Sequence, residues 1–529
     1  MASQGAAGDL FQRKATGLLR GWSVRDAFIY AAFSINLITL GLFIFSYAPF
    51  IPEGSLILAV LLSGFYLVFQ AVTYASLIAV MPRAGGDYVW QSRILGGGIG
   101  FVLAVTGWWF ILWHWVPIYA NILNVEVVAP VAYILGANGV AEFFNGSGGL
   151  FAASMFVAVF ASVLISLGMR TYAKIQKFCF YVGLVGLALM LVLLAVHSNA
   201  DFVAAFNEKA QAMFGVDDAY ERTLQAGGAE FPAAAAFYPT LLLIPMVVFF
   251  NLWSNWGATL YGEVRGASDF RKNIYAMGGA LISTTVVAAI MLLLFARTFG
   301  WDFYYAANNA YWAGEGVIPA WPYPGLLAAF FFDSPVLQLL LVGLLSLWFF
   351  GWCGTVFLSS TRVVFATAFD RVLPEAVSRT SRNGVPYVAL LLMFIPSIPI
   401  SYFYAFGEEF ATWTLNATLV IATTFLGSAI AAAVLPWRRP DIYNASPISR
   451  YTVFGIPLVT VAAVMFAIFL LFCLYQWISR DVYGINNEAS FIYLGILYGI
   501  AIVGYIAFRI IRRLQGIDLK MVYGEIPEE

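Results

Sequence analysis

The chain has 529 residues, of which 62% are hydrophobic and only 10% are charged. Soluble globular proteins carry roughly 45–50% apolar and about 25% charged residues, so this composition excludes a water-covered surface and indicates a membrane protein. The net charge of −1 predicts no nucleic-acid partner, and two His and three Cys without metal-ligand spacing predict neither a metal nor a cofactor.

Twelve apolar runs are long enough to cross the bilayer as helices, which takes about 20 residues for roughly 30 Å of hydrocarbon. Lipid offers the backbone no hydrogen-bond partners, and the runs are far longer than barrel strands. They therefore predict an all-α integral membrane bundle. The runs cover residues 27–49, 56–81, 97–121, 150–168, 176–196, 239–263, 274–296, 336–368, 387–404, 411–435, 455–477 and 490–510.

The basic residues predict the orientation. With the N-terminus inside, 23 of the 27 Lys and Arg fall on the cytoplasmic side and four fall outside, as the positive-inside rule requires. We expect a multi-pass plasma-membrane protein with both termini in the cytoplasm. Its predicted parts are a cytoplasmic N-terminal segment 1–26, a first five-helix repeat 27–196, an extracellular loop 197–238, a second, inverted repeat 239–435, helices 11 and 12 in 436–510, and a cytoplasmic tail 511–529.

The first and sixth runs are interrupted in a matching way. The first reads AAFSINLITLGLFIF and the sixth reads FFNLWSNWGATLYGE, with polar and small residues at the centre of each. Because the two runs stand five helices apart, they cross the membrane in opposite directions and predict an inverted repeat. Interrupted helices at corresponding positions of two halves indicate a substrate site at the bilayer midplane. A helix-packing role for the small polar residues is the alternative.

A break in each helix would expose N–H groups at one new end and C=O groups at the other, which can hold an anionic and a cationic group respectively. We expect a substrate carboxylate to meet the amides of residues 39–41, and an ammonium to meet carbonyls near Ile35 and Phe250. The predicted substrate-binding residues are Ser34, Ile35, Asn36, Thr39, Leu40, Gly41, Phe250, Trp253, Ser254, Asn255 and Gly257.

Two cytoplasmic segments carry a family resemblance. MPRAGGDYVWQSRILG after the second run and STRVVFATAFDRVLPEAV at the end of the eighth resemble the corresponding segments of the amino acid-polyamine-organocation transporters, and further matches follow in register along nearly the whole chain. The resemblance implies a leucine-transporter-like fold of two inverted five-helix repeats plus two extra helices, with helices 1 and 6 discontinuous. It also implies secondary transport of amino acids or related small amines by alternating access.

The matched residues suit hinges and latches. Glycine permits backbone geometry that other residues resist, and a charged pair at the end of the eighth run can tie the inner gate to its neighbours, although a solvated face would use the same residues. The predicted gating or structural residues are Gly85, Gly86, Glu263, Arg362 and Asp370.

Departures from the family pattern bear on substrate and coupling. Family members that carry amino acids place a Gly-Ser-Gly-like run where this chain has Thr39, Leu40 and Gly41. Some relatives also carry a lysine on the fifth helix, and none occurs here between Phe178 and Val196. The coupling ion is therefore left open between proton and sodium, with plain exchange as a third possibility. A transport-inactive nutrient sensor of the same fold is one alternative. A membrane-embedded enzyme is another, but it would need an acid–base cluster that the runs lack.

Overall fold

The computed structural model describes residues 17–228 and 235–526. Twelve helices in this part of the chain are long and apolar enough to cross a membrane, which confirms the predicted number. In chain order, spans 1 to 12 are Val24–Phe45, Leu56–Val80, Gly97–Ile134, Ser147–Ser166, Met169–Val196, Phe237–Glu263, Phe270–Thr298, Pro335–Phe369, Tyr387–Phe406, Asn416–Arg438, Leu458–Ser479 and Glu488–Leu514.

Short helices and one small hairpin connect the spans. The helix of span 10 begins at Glu408, before its apolar part. The connecting helices are Ala48–Phe50, Asp87–Ile94, Asn138–Asn145, Asn199–Phe214, Ala219–Ala226, Trp301–Trp312, Pro324–Ala329, Glu375–Ser378, Pro440–Ala445, Pro447–Arg450, Asp481–Tyr483 and Leu519–Gly524, and the hairpin pairs Thr452–Val453 with Ile456–Pro457.

Local sequence signals set the start of span 1. The Ser23 hydroxyl accepts a hydrogen bond from the Asp26 N–H, and the Asp26 carboxylate accepts one from the Ser23 N–H at 2.8 Å. This reciprocal capping satisfies two amides that a helix start would otherwise leave unpaired. The residue before the cap, Trp22, pairs through its backbone with the end of span 6, so the entry to span 1 is tied to the exit of span 6.

Span 1 lies at the centre of the bundle and span 12 at its edge. In the apolar window of span 1, 94% of residues are buried inside the protein, against 11% in span 12. Glycines allow the close approach around span 1: a Cβ at Gly351 of span 8 would lie 2.3 Å from the ring of Phe33. Small residues are the usual means of close packing between helices in lipid, where burial of apolar surface supplies little driving force.

Spans 2 and 8 are divided at single residues, Leu67 and Gly354, and spans 1, 3 and 6 contain longer segments that are not α-helical. Span 1 is interrupted at Asn36, whose φ of 54° and ψ of 77° are left-handed. Span 6 changes at Leu252 from an α-helix to a 3₁₀ helix that continues to Glu263. Span 3 contains wider and tighter turns and continues to Ile134, past its predicted end at residue 121, so that Glu126 lies within it.

Candidate substrate site

A cavity of about 470 Å³ lies among spans 1, 3, 6, 8, 9 and 11. It extends from Leu40 and Trp253, beside the interruptions of spans 1 and 6, to the connection between spans 11 and 12, where Asp481 and Val482 are exposed. We call this side the open face. The opposite side, which carries both ends of the described chain and the residues Trp22, Arg93 and Arg362, is called the terminal face.

Aromatic side chains form most of the cavity wall. The rings of Tyr119 and Trp352 are stacked with their centroids 3.5 Å apart, and Trp115 meets Trp253 edge-on at 5.0 Å. Among the residues that the structure describes, Asp481 is the one charged residue in the lining. The aromatic lining residues are Phe43, Tyr47, Phe50, Trp115, Tyr119, Phe249, Trp253, Trp312, Trp352, Tyr404, Trp477 and Tyr483.

The interruption of span 1 is stabilised by its own asparagine. The Asn36 side-chain oxygen accepts the Thr39 N–H at 3.2 Å, and its side-chain amide donates to the Thr39 hydroxyl. The Asn36 carbonyl accepts the Gly41 N–H at 2.8 Å. Two of the three amides predicted to receive a carboxylate, those of Thr39 and Gly41, are therefore engaged within the segment itself.

The polar residues at the interruption of span 6 face span 2. Gln70 of span 2 donates to the Leu252 carbonyl at 2.7 Å and to the Asn255 side-chain oxygen at 3.1 Å, and it accepts the Ser254 hydroxyl at 3.0 Å. Asn251 donates to Ser63, also in span 2, at 2.7 Å. The Leu252 carbonyl lies where the α-helix becomes a 3₁₀ helix, so Gln70 satisfies an acceptor that the change of helix type would otherwise orphan.

The structure brings two of the eleven predicted substrate-binding residues to the cavity wall, Leu40 and Trp253. Ser254 and Gly257 line a small recess on the terminal side of the cavity. The others are buried behind the wall: a Cβ at Gly41, for example, would lie 3.0 Å from the ring of Phe250. These buried residues are Ser34, Ile35, Asn36, Thr39, Gly41, Phe250 and Asn255.

Beyond the cavity floor, indole rings fill the path towards the terminal face. Trp256 stacks on Trp115 with centroids 5.2 Å apart and lies 4.4 Å from Trp108. Span 8 fixes Trp256 from the other side, since the indole donates to the Thr355 carbonyl at 3.1 Å and the Ser359 hydroxyl donates to the Trp256 carbonyl at 2.7 Å. The cavity is thus open on one face and closed on the other.

Two buried ion pairs hold the terminal face together. Arg362 binds Glu263 through two hydrogen bonds of 2.7 and 3.1 Å, and these side chains are 0% and 1% exposed. Arg93 binds Asp370 in the same two-pronged way. Arg362 and Asp370, singled out together in the sequence, therefore bind different partners: the first ties span 8 to span 6, and the second ties the end of span 8 to the helix Asp87–Ile94.

Gly85 and Gly86 lie against span 6 at the terminal face. Gly85 has a φ of +94°, its N–H donates to the Thr259 carbonyl at 2.8 Å, and a Cβ there would lie 2.4 Å from the Cβ of Ala366. Gly86 has a φ of +36° and packs on the backbone of residues 258 and 259. Both positions thus require glycine for conformation and for space.

Sequence reasoning missed the contributions of spans 2 and 3. The run GWWFILWHW at residues 107–115 signals the aromatic wall, but composition alone does not show which indoles face the cavity. Gln70 is a lone amide in an otherwise apolar stretch of span 2, which was a usable signal for a buried polar contact. The partner of Asp370, Arg93, lies 277 residues away and follows only from the fold.

Comparison with solved structures defines the class of protein. The chain matches the structure titled "Crystal structure of MhsT in complex with L-phenylalanine" with a TM-score of 0.51 and 16% identity, over 85% of this chain and 98% of that one. This similarity shows the leucine-transporter-like fold of two inverted five-helix repeats with two additional helices. A search of curated protein sequences finds no match.

The family follows from the sequence model described as "Amino acid permease", which matches residues 27–502. The chain belongs to this family, within the amino acid-polyamine-organocation superfamily that the two cytoplasmic segments resemble. It is a multi-pass membrane protein, and its family and fold are those of a transporter rather than an enzyme.

Proposed function

We propose that this permease moves an amino acid or a related small amine across the plasma membrane by alternating access. The observation that carries the proposal is the cavity beside the interrupted segments of spans 1 and 6, open on one face and closed by ion pairs on the other. Such a site at the junction of two inverted repeats is the arrangement by which secondary transporters expose a bound substrate to each side in turn.

The cavity favours a substrate that carries an ammonium group and a large apolar or aromatic side chain. Its volume of about 470 Å³ falls within the roughly 300–1,000 Å³ typical of small-molecule sites. Aromatic faces attract a cation by about 0.5–2 kcal/mol per contact, more where water is excluded. Asp481 at the open rim attracts the same charge.

The predicted residues of spans 1 and 6 supply the floor of this proposed site. Leu40 and Trp253 contact the substrate directly, and the Asn36 to Gly41 segment behind Leu40 presents its backbone to a carboxylate when the local hydrogen bonds rearrange. Asn255 and Ser254 act indirectly. Their hydrogen bonds with Gln70 fix the position of the neighbouring Trp253 in the cavity wall.

The terminal face is the proposed inner gate. The excess of basic residues on this face supports a cytoplasmic position by the positive-inside rule, and in this orientation the cavity opens to the outside. For the substrate to leave on the cytoplasmic side, the Glu263–Arg362 and Arg93–Asp370 pairs must separate or move together with their helices, and Gly85 and Gly86 provide the backbone freedom for that movement.

Reconstitution tests the proposal. Purified protein in liposomes is expected to accumulate or exchange at least one labelled member of a panel containing L-phenylalanine, L-leucine, phenethylamine and polyamines, with aromatic members competing best. Binding to the purified protein without flux would favour the nutrient sensor. Absence of both binding and flux across the panel would contradict the proposed function.

Two substitutions test the location of the site. Gly41→Leu forces a side chain against Phe250, only 3.0 Å from the expected Cβ, and is expected to abolish flux while folded protein remains in the membrane. Asn255→Leu removes the contact with Gln70 and is expected to have the same effect. Gly343→Leu in span 8 is the matched control, since no atom lies within 4 Å of its Cβ position. Wild-type flux in both test variants would exclude this location.

A further inference from the structure

Asp87 is a fully buried carboxyl group at the terminal side of the cavity floor. It begins the helix Asp87–Ile94, follows Gly86 directly, and has 0% exposure. One carboxylate oxygen, Oδ1, accepts the hydroxyl of Tyr74 in span 2 at 2.6 Å and the hydroxyl of Ser428 in span 10 at 2.6 Å. The carboxyl group thus joins two spans that lie far apart in sequence.

The second oxygen, Oδ2, has no hydrogen-bond partner among the described residues. An ionised carboxylate without a salt bridge is costly to bury, whereas a neutral carboxyl is much less so. A proton on Oδ2 would leave both bonds to Oδ1 intact. Burial raises the pKa of Asp87 to about 6, although the hydrogen bonds from Ser428 and Tyr74, together with the Asp87 backbone and the nearby Trp108 indole, favour the ionised form.

No cation contacts Asp87 within the described chain. Arg93, on the same helix, binds Asp370, and Arg362 binds Glu263; Arg438 and Lys520 are exposed. Tyr88 and Tyr523 lie beside Arg93. The titratable or charged groups on the elements around Asp87 are Tyr74, Arg83, Tyr88, Arg93, Tyr261, Glu263, Arg362, Asp370, Arg438, Lys520 and Tyr523. Of these, Tyr74 alone is hydrogen-bonded to the Asp87 side chain.

A chain of buried polar groups links Asp87 to the interruption of span 6. Tyr74 donates to Asp87, and the side-chain amide of Asn255 lies next to the Tyr74 hydroxyl without a direct hydrogen bond. Asn255 is bound in turn by Gln70, which also holds the Leu252 carbonyl next to the cavity residue Trp253. A change of charge at Asp87 can therefore act on the segment that positions the substrate.

Resting on the proposed function, we infer that Asp87 is the proton-binding group that couples transport to a proton gradient. The proton is taken up on Oδ2 from the solution on one side and released unchanged to the other. Neutral Asp87 suits the buried position of this structure. Opening of the terminal face, against which Gly85 and Gly86 pack, brings the carboxyl group towards water, where its proton leaves.

Infrared difference spectroscopy tests the proton site without any substrate. In the purified wild-type protein, the C=O stretching band of a buried, protonated carboxyl is expected to disappear as the pH rises through about 6, the value to which burial raises the pKa of Asp87. The band should be absent from Asp87→Asn. Glu126→Gln is the matched control, because Glu126 is also buried and neither of its oxygens has a partner among the described residues. If the band persists in Asp87→Asn, the assignment is wrong.

Flux measurements test the coupling. With labelled L-phenylalanine or phenethylamine as probe, an imposed inward proton gradient is expected to drive accumulation by the wild-type protein, and Asp87→Asn is expected to lose this accumulation while still exchanging internal for external probe. If flux by the wild-type protein does not depend on the pH gradient, proton coupling is excluded and the proposed function is unaffected. If no probe moves at all, the proposed function fails, and the infrared titration decides the proton site separately.

A second variant keeps the inference testable if Asp87→Asn does not fold. Ser428→Ala removes one of the two hydroxyl groups that donate to Oδ1 and favour ionised Asp87. The pH midpoint of the infrared band and that of gradient-driven uptake should therefore shift upward together. Ser76→Ala in span 2 removes a hydroxyl that bonds only within its own helix, to the Val72 carbonyl, and should leave the midpoint unchanged. A downward shift or no shift in Ser428→Ala would overturn the inference.

Discussion

The two ends of the central path are built from different chemistry. The open face is lined by aromatic rings with one carboxylate at its rim, whereas the terminal face is closed by buried arginine–carboxylate pairs and close-packed glycines. Aromatic contacts are numerous, individually weak and tolerant of the substrate's shape. Buried ion pairs are few and directional, and they are costly to leave half-made. The difference suits a wall that binds reversibly and a gate that is either formed or broken.

Arg362→Ala tests the closed terminal face and is expected to have the largest effect of the substitutions considered. It leaves Glu263 buried and unpaired, which costs about 3–5 kcal/mol, and should lower the melting temperature of the purified protein sharply. Lys272→Ala is the control, since both side chains of the Lys272–Asp269 pair are exposed, at 54% and 44%, and the pair should matter little. The double variant Arg362→Met with Glu263→Leu should regain much of the stability. A melting temperature unchanged in Arg362→Ala would show that the pair does not hold the terminal face.

Gly85→Ala is expected to have the next largest effect. The new methyl group would lie 2.4 Å from the Cβ of Ala366, at a residue with φ of +94°, so steric overlap adds to backbone strain of about 1–3 kcal/mol. Gly96→Ala is a close control, because Gly96 also has a positive φ but nothing lies within 4 Å of its Cβ position. Thermal unfolding should separate the two variants, and equal destabilisation would show that the contact with Ala366 is not tight.

Trp253→Ala probes the aromatic wall. Loss of one desolvated ring that faces a cation costs about 1–2 kcal/mol, so the KM for an aromatic amine should rise roughly tenfold, by the usual 1.4 kcal/mol per decade. Trp437→Ala is the control, since that indole is 65% exposed on the surface. Equal KM values in both variants would place the substrate elsewhere.

Trp22→Phe should have the smallest effect. It keeps an aromatic ring at the terminal face but removes the hydrogen bond from the indole to the Met169 carbonyl at 2.9 Å, worth about 1 kcal/mol. We expect a slight fall in melting temperature and a slightly faster opening of the terminal face, measured as accessibility of a cysteine introduced at Ser254. A large fall would mean that the indole bond, rather than the ion pairs, dominates closure.

The features that could be predicted depend on residues close together in sequence, whereas those that could not depend on contacts between residues far apart in sequence. Span number and the polar centres of spans 1 and 6 were visible in the sequence because each depends on a local run of residues. The partners of those residues were not visible. Arg362 and Asp370 were expected to tie the inner gate to neighbouring elements, but the sequence did not show that the partner of Arg362 is Glu263, 99 residues earlier in the chain.

The amino-acid sequence by itself determined that this chain is a membrane protein, that it crosses the membrane twelve times, and that two helices carry polar centres. Each of these features depends on the hydrophobic length and composition of a single segment. Tertiary structure decided that the polar face of span 6 turns to Gln70, that twelve aromatic rings meet in one cavity, and that Asp87 is buried without a cation. Those outcomes depend on which distant helices pack together, and buried polar groups take whatever partner that packing brings within hydrogen-bond distance.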